Sequence, residues 1–342
     1  MSASPLQTMH AETASSPTTN RSRLKAAWFQ NDPLADGLDF GLATDRRTLE
    51  QAFRLQHDQY VARGYMDAHP SGWRLSLHNA LSATRVFVAR SGGRVVGTMT
   101  LIADSPLGLP MDEIYADELR RLRDARANLA EVSALAMDPD YQSSGVPILV
   151  RLIRMLVIYA AQTESDLCIA VNPHHAAFYR KAFHFQDIGG LKQYGKVNGA
   201  PAIALRLDLA LARFLMSELR DGHRMISEVH EFLFHPANVE AVMSRLGKDL
   251  RRVIPLEERV GYFFSRHEAW MEASEADRAY ILAGCDPSAR RRLRTHSPDH
   301  SNRCRPRELP ASRDDVVEEL EQALTRGEHP AASERIARSS TE

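Results

Sequence analysis

The residues best suited to do chemistry lie in the run Ala130-Glu131-Val132-Ser133-Ala134-Leu135-Ala136-Met137-Asp138-Pro139. Apolar residues alternate from Val132, so 129–137 is predicted to be a half-buried strand, ended by Asp138-Pro139-Asp140. Such a strand sets Glu131 at a cleft. There a partly dry carboxylate has a raised pKa and can take the proton from an amine attacking a thioester. Taken alone, Glu131 fits a solvated or salt-bridged strand-end glutamate better; the strand, turn and helix that follow it favour the catalytic reading. A second candidate, Tyr179, lies one turn into a helix opened by Asn172-Pro173-His174-His175, where its hydroxyl can protonate a departing thiolate or simply pack beside Phe178. Between them, Gln142-Ser143-Ser144-Gly145 precedes an apolar helix expected over about 146–162. A Gly-containing loop at a helix N-terminus offers free N–H groups to phosphate, and Ser143 or Ser144 can cap that helix. Pro147 fits a first turn but removes one donor, which suits the single phosphodiester of a phosphopantetheine arm better than a diphosphate.

Placing these groups together requires helices that alternate with strands. Leu49, Ala52, Phe53, Gln56 and Tyr60 have helical spacing, with Thr44 or Asp45 as cap. Gly64 and Pro70-Ser71-Gly72 break that pattern. Val86–Val88 and Val95–Ile102, joined by Ser91-Gly92-Gly93, read as a hairpin. A helix is expected over 111–125, strands over 167–171 and 202–207, and a short helix from His175 to Ala182. The order implies a mixed sheet with helices on both faces. After Asp208 only helical spacing remains, as in Val239, Val242, Met243 and Leu246, in Val260, Phe263 and Phe264, and in Val316, Val317, Leu320 and Leu324.

Strand, Gln-x-x-Gly loop, apolar helix, strand, Asn172 and then Ala-x-Phe-Tyr, in that order, resemble the GNAT N-acetyltransferase superfold. The run Phe53-Arg54-Leu55-Gln56-His57-Asp58-Gln59-Tyr60-Val61 is similar to the Arg-x-x-x-Asp-x-Tyr/Phe-Val signature of acyl-homoserine-lactone autoinducer synthases. Val95-Val96-Gly97-Thr98, Ser105–Met111 and Glu131-Val132-Ser133 extend this likeness. The long-chain N-acyl amino acid synthases are similar throughout, including Val197-Asn198-Gly199-Ala200-Pro201, and the resemblance spans about residues 45–208.

It implies an α/β fold: a GNAT-like (acyl-CoA N-acyltransferase-like) mixed sheet flanked by helices, with a C-terminal helical extension. It also implies transfer of a long-chain acyl group from acyl carrier protein to the α-amine of an amino acid. By the same resemblance Glu131 is the base, and Tyr179, from its place one turn into the helix, is the second catalytic candidate. Arg54, Asp58, Tyr60, Ser133 and Asn172 bind substrate, and Leu135, Met137, Gln142 and Gly145 hold acyl-phosphopantetheine. No tightly bound cofactor and no metal are implied; the co-substrate is acyl-phosphopantetheine on acyl carrier protein, or acyl-CoA. Ala134 stands where autoinducer synthases usually carry arginine, and they tend to have arginine near Thr100, so a plain amino acid acceptor is favoured over S-adenosylmethionine. A coenzyme-A-dependent N-acetyltransferase and a non-catalytic acyl-carrier or lipid-binding regulator are the alternatives.

Composition narrows the classes further. The chain has 342 residues, 43 basic and 44 acidic, for a net charge of −1. That argues against bulk nucleic-acid binding. Cys168, Cys285 and Cys304 are too scattered for a disulfide framework, which fits the cytoplasm. The most apolar run, Ile148–Ala161, is interrupted by Arg151 and Arg154, so no membrane contact of the integral kind is expected. Arg151 and Arg154, with Arg120, Arg121, Arg123 and Arg126, are candidates to meet an acidic carrier protein. Acyl chain length depends on cavity depth, through side chains such as Phe87, Leu152 and Met155. The expected division is a disordered tail over 1–40, a transferase domain over 41–210, a helical extension over 211–284 and a charged tail over 285–342. Within that tail seven arginines and two aspartates between Cys285 and Arg307 precede seven acids and two arginines between Glu308 and Glu328, a self-complementary pair of blocks.

Overall fold

The computed structural model describes residues 37–163, 166–219, 224–265, 267–288, 290 and 293, and for 142–146, 215, 216, 219 and 224–228 the backbone alone. The expected N-terminal tail up to residue 36, the acidic helix around Val316–Leu324 and most of the charged tail lie outside the described residues.

Seven strands form one mixed sheet: β1 (Leu38–Leu42), β2 (Arg85–Ser91), β3 (Arg94–Ala103), β4 (Leu129–Met137), β5 (Asp166–Val171), β6 (Gln186–Tyr194) and β7 (Ala200–Asp208). Their spatial order is β1-β2-β3-β4-β5-β7-β6. All neighbours are antiparallel except β4 and β5, which run parallel. Helices α1 (Arg46–Ala62), α2 (Asp112–Asp124), α3 (Gly145–Thr163) and α4 (Ala176–Phe183) alternate with the strands. This is the GNAT-like architecture that the resemblance implies, a mixed seven-stranded sheet flanked by helices. Asp45 caps α1, its Oδ1 accepting the Thr48 N–H at 2.8 Å.

The period-2 alternation of the strands sorts their side chains into two layers. On β2, Phe87 and Ala89 enter the core shared with α3, whereas Val86 and Val88 enter the core shared with Phe53 of α1. On β4, Ala130 joins the α3 layer and Leu129 joins Met111, Tyr115 and Leu119 around α2. Glu131, one residue beyond Ala130, shares the Leu129 face.

Two strands escape the sequence patterns. β1 begins at Leu38, inside the segment expected to be a tail. It is short, and Asp249 Oδ2 accepts its Leu42 N–H at 2.9 Å from 207 residues away. β6 is an edge strand with mostly exposed side chains and Gly189-Gly190 in its centre, so no alternation marks it.

Beyond Asp208 the described residues form helices: α5 (Leu209–Leu219), α6 (Arg224–Phe234), α7 (Pro236–Leu250), α8 (Leu256–Arg259), a π-helical turn Val260–Phe264, α9 (Glu268–Met271) and α10 (Glu275–Ala283). Helices α5 to α7 cover the outer side of α3, with Val229, Phe232, Leu233, Val242 and Leu246 in the same core. This explains why α3 is apolar around most of its circumference, with Arg151 and Arg154 the exceptions. The segment from Leu256 to Cys285 instead covers α1, adding Val260, Phe263, Phe264, Ile281 and Leu282 to the opposite layer. Among the described residues no helix is long and apolar enough to cross a membrane.

Candidate active site

The parallel pair β4–β5 is joined only at Leu129–Asp166, Ala130–Leu167 and Glu131–Cys168. Past Glu131 the two strands separate. The cause sits in β4: Thr98 pairs with Ala136 but Thr100 pairs with Ser133, so Met99 faces one residue too many. This is a β-bulge, and Ala134 within it takes a left-handed φ of 55°. The bulge bends β4 away from β5 and leaves the 132–137 backbone at the edge of a gap in the sheet.

A cavity of roughly 250 Å³ occupies that gap. Leu149, Ile153, Leu156 and Val157 of α3 line it from one sheet face, and Tyr60, Arg74, Asn79 and Lys196 come from the α1 side. A cavity lined from both layers passes between the strands, with an apolar arm along α3 and a polar end at Glu131. The apolar wall differs from the one expected: Phe87, Leu152 and Met155 are buried within the α3 layer, and Ile153 and Leu156, next to Leu152 and Met155 on α3, supply the lining.

Glu131 is 2% exposed, and its Oε2 accepts the Met111 N–H at 2.8 Å. Burial pushes its pKa up to about 8. The Met111 hydrogen bond and the Lys196 and Arg74 charges act against that rise, and the Asp112 charge adds to it. A carboxylate that titrates near neutrality exchanges protons with an amine far better than one at its ordinary value.

The cavity brings together Glu131, Tyr179, Tyr60, Ser133, Asn172, Leu135 and Met137. Asn172 Oδ1 accepts the His174 N–H at 3.0 Å, capping the turn Pro173–His175. Tyr179 packs edge-on against Phe178 and Phe185, with centroids 5.1 and 5.6 Å apart. The backbone of Gln142 and Gly145 lies where α3 begins, and their side chains are outside the described residues, as are those of Ser143 and Ser144. Arg54 is exposed on α1, and Asp58 points to a different task. Asp58 Oδ1 lies 2.9 Å from His57 Nδ1, while His57 Nε2 accepts the His69 N–H at 3.0 Å. The His57 tautomer is thereby set with its proton on Nδ1, donated to Asp58, and the pair clamps the 65–76 segment onto α1. Neither Arg54 nor Asp58 is among the described residues that line the cavity.

The structure also corrects the role expected for Arg151 and Arg154. Arg151 is 6% exposed with its guanidinium 5.9 Å from the Phe40 ring, and Arg154 lies 4.5 Å over Phe232. Burial, with the neighbouring Arg151 charge, lowers the Arg154 pKa to about 10. The C-terminal helices cover the α3 face that carries both, so neither can present charge to a partner. Arg123 is likewise committed, at 2.6 Å to both Asp104 and Asp112.

Arg74, Tyr194 and Lys196 line the cavity without having been marked in the sequence. Lys196 adjoins the Val197–Pro201 run on which the family likeness partly rests, a usable signal. Arg74 follows the breaker Pro70-Ser71-Gly72, and no spacing marks it.

Residues 51–208 match the family described as N-acyl amino acid synthase FeeM. The FeeM structure, an N-acyl amino acid synthase from uncultured soil microbes, is 32% identical over 53% of this chain and 98% of its own, with a TM-score of 0.47. The autoinducer synthase LasI is 18% identical over 50% of this chain and 89% of its own, TM-score 0.38. The coenzyme-A-dependent acyl-homoserine lactone synthase BjaI is 16% identical over 60% and 99%, TM-score 0.39. No curated protein matches the chain. A family match over the strands and helices that build the cavity, together with 32% identity across nearly the whole of FeeM, places this chain in the FeeM family of N-acyl amino acid synthases and makes it an acyltransferase.

Proposed function

We propose that the protein transfers a long-chain fatty acyl group from the phosphopantetheine thioester of acyl carrier protein to the α-amine of an amino acid, acting in the cytoplasm. The observation that carries this reading is a buried carboxylate, poised near neutral pH, where a polar cavity end meets an apolar arm. The apolar arm suits a fatty chain, and the polar end suits a small charged acceptor.

In this mechanism Glu131 takes a proton from the acceptor ammonium, directly or through water. The free amine nitrogen attacks the thioester carbonyl, the new N–C bond forms, and the C–S bond then breaks. Backbone N–H groups on the unpaired β4 edge stabilise the oxyanion, and Tyr179 gives its proton to the departing thiolate while the attacking nitrogen passes its surplus proton, through water, to the Tyr179 phenolate. The pantetheine arm adds to the edge of β4 at Leu135–Met137 as an extra strand, with its phosphate at Gln142 and Gly145 where α3 starts. Ser133 and Asn172 flank the reacting carbonyl, and Tyr60 closes the acceptor end. Arg54 contributes from outside the cavity, and Asp58 through His57. The transferase domain over 41–210 holds all of these groups, and the extension over 211–284 supports it.

The test uses the full chain with long-chain acyl carrier protein, acyl-CoA and acetyl-CoA as rival donors and a panel of amino acids, with products read by mass spectrometry. N-acyl amino acid formed from the carrier donor is the expected result. Full turnover by Glu131→Gln, or a clear preference for acetyl-CoA, overturns the reading.

A further inference from the structure

Resting on that reading, we infer that Arg74, assisted by Lys196, is the receptor for the acceptor's carboxylate. Arg74 is half-buried and lines the cavity. Its backbone N–H donates to Phe53 O at 3.1 Å, which ties the residue to α1. Its guanidinium carbon lies 4.2 Å from the centroid of the Tyr60 ring. Stacking occupies one face of the planar group and leaves its in-plane N–H donors available, the geometry for two parallel bonds to a carboxylate.

Three partly buried arginines of this protein are matched by acids, Arg123 by Asp104 and Asp112, Arg206 by Asp166 and Asp208, Arg245 by Asp39 and Asp249, and Arg85 and Arg259 donate to backbone carbonyls away from the cavity. Arg74 makes no ion pair with an Asp or Glu among the described residues; its surroundings are an aromatic ring and the cavity. Lys196 adds a second positive charge at this end, its Nζ donating to Pro110 O at 2.9 Å and lying 3.6 Å from Glu113 Oε2. Both cations act electrostatically on Glu131. In an α-amino acid the amine and the carboxylate share one carbon, so a carboxylate receptor has to lie close to the base that serves the amine. An acceptor held with its amine toward Glu131 and its carboxylate toward Arg74 meets that requirement.

The subsite predicts selectivity for free amino acids over amines and amides of the same side chain, because a neutral acceptor leaves the guanidinium unmatched. Acylation rates for an amino acid, its carboxamide and its decarboxylated amine are compared in the wild type, Arg74→Gln and Arg74→Lys. Arg74→Gln is expected to raise KM for the free acid about 10- to 100-fold, the loss of charge-assisted hydrogen bonds. KM for the acyl donor should hold steady and the preference for the acid should vanish. Arg74→Lys, which keeps charge but loses the fork, falls between. Calorimetric titration with an N-dodecanoyl amino acid and its carboxamide gives a readout that needs no turnover. Tighter binding of the acid by wild type, lost in Arg74→Gln, supports the subsite. Equal binding of the two by wild type, or a preference retained in Arg74→Gln, overturns it. Absence of acylation with every acceptor defeats the transfer reading instead, and the titration still decides the subsite.

Discussion

Glu131 Oε2 accepts the backbone N–H of Met111 at 2.8 Å, which joins the strand at the sheet's gap to the residue that precedes α2. This bond favours the ionised carboxylate, and burial outweighs it, so the group titrates at about 8. The sign of the linkage follows. In the unfolded chain Glu131 loses its proton near the ordinary glutamate value, while the folded protein holds that proton to about pH 8. Its contribution to stability is therefore greatest at low pH, falls as pH rises between those limits, and is level above them. Each tenfold difference in proton affinity between the folded and unfolded chain is worth about 1.4 kcal/mol. Glu131→Gln should therefore leave stability nearly unchanged below about pH 4.5 and raise it by a few kcal/mol near pH 8.5. Urea midpoints at the two pH values measure this. The same variant should lose most of its turnover, and with it the rise in kcat/KM on approach to pH 8. Equal stabilisation at both pH values would contradict a buried, titrating Glu131.

Ala134 takes a left-handed φ of 55° in the bulge of β4. That conformation costs an alanine about 1–2 kcal/mol, part of which a glycine recovers before its larger unfolded entropy is counted. Ala134→Gly is expected to keep activity and change stability by no more than about 1 kcal/mol, toward stabilisation. Ala134→Val, with a branched Cβ at positive φ, should destabilise by more than about 1 kcal/mol and reduce turnover by displacing the β4 edge. Comparable stability of the two variants would mean that the bulge tolerates any side chain.

Leu156 is 1% exposed and lines the cavity from α3. Leu156→Trp should shorten the apolar arm and shift the preferred donor toward shorter acyl chains. Each methylene excluded from the cavity forfeits about 0.8 kcal/mol, close to fourfold in donor selectivity. Competition between mixed-length acyl carrier proteins reads the change. An unaltered product profile would place the fatty chain elsewhere.

Trp73 packs on Phe263 and Tyr262 of the π-helical turn, with ring centroids 5.3 and 6.1 Å apart. One residue earlier than Arg74, it connects the C-terminal extension to the acceptor end. Trp73→Ala should cost about 3–5 kcal/mol by analogy with other buried aromatics, somewhat less for its half-buried ring. At a temperature where the variant stays folded, it should raise KM for the amino acid more than KM for the donor. Trp73→Phe should restore most of both. A uniform loss of kcat with both KM values unchanged would deny the extension any positioning role.

Much of the site could be read from residue order, because its chemistry is tied to local pattern. Alternation marks β4 with its observed ends, Leu129–Met137. The capping aspartate and the helical spacing mark α1, and Asn-Pro marks the turn before α4. Glu131 and Tyr179 are found through these elements. β6 was not legible, because an exposed edge strand carries no hydrophobic alternation.

Residue types and spacings along the chain determined the helices and the buried strands β2 to β5 and β7, and which carboxylate stands at a strand's edge. Only the tertiary structure decided the environment of each charged group, because desolvation and ion pairing depend on neighbours distant in sequence. Arg151 and Arg154 look like a surface patch until α5 to α7 cover α3, and only the fold shows that Asp58 meets His57, which the His69 N–H holds in turn. Arg74 carries no pattern at all. Its place beside Glu131 depends on a clamp through His57, a stack on Tyr60 and a C-terminal segment some 190 residues away in sequence.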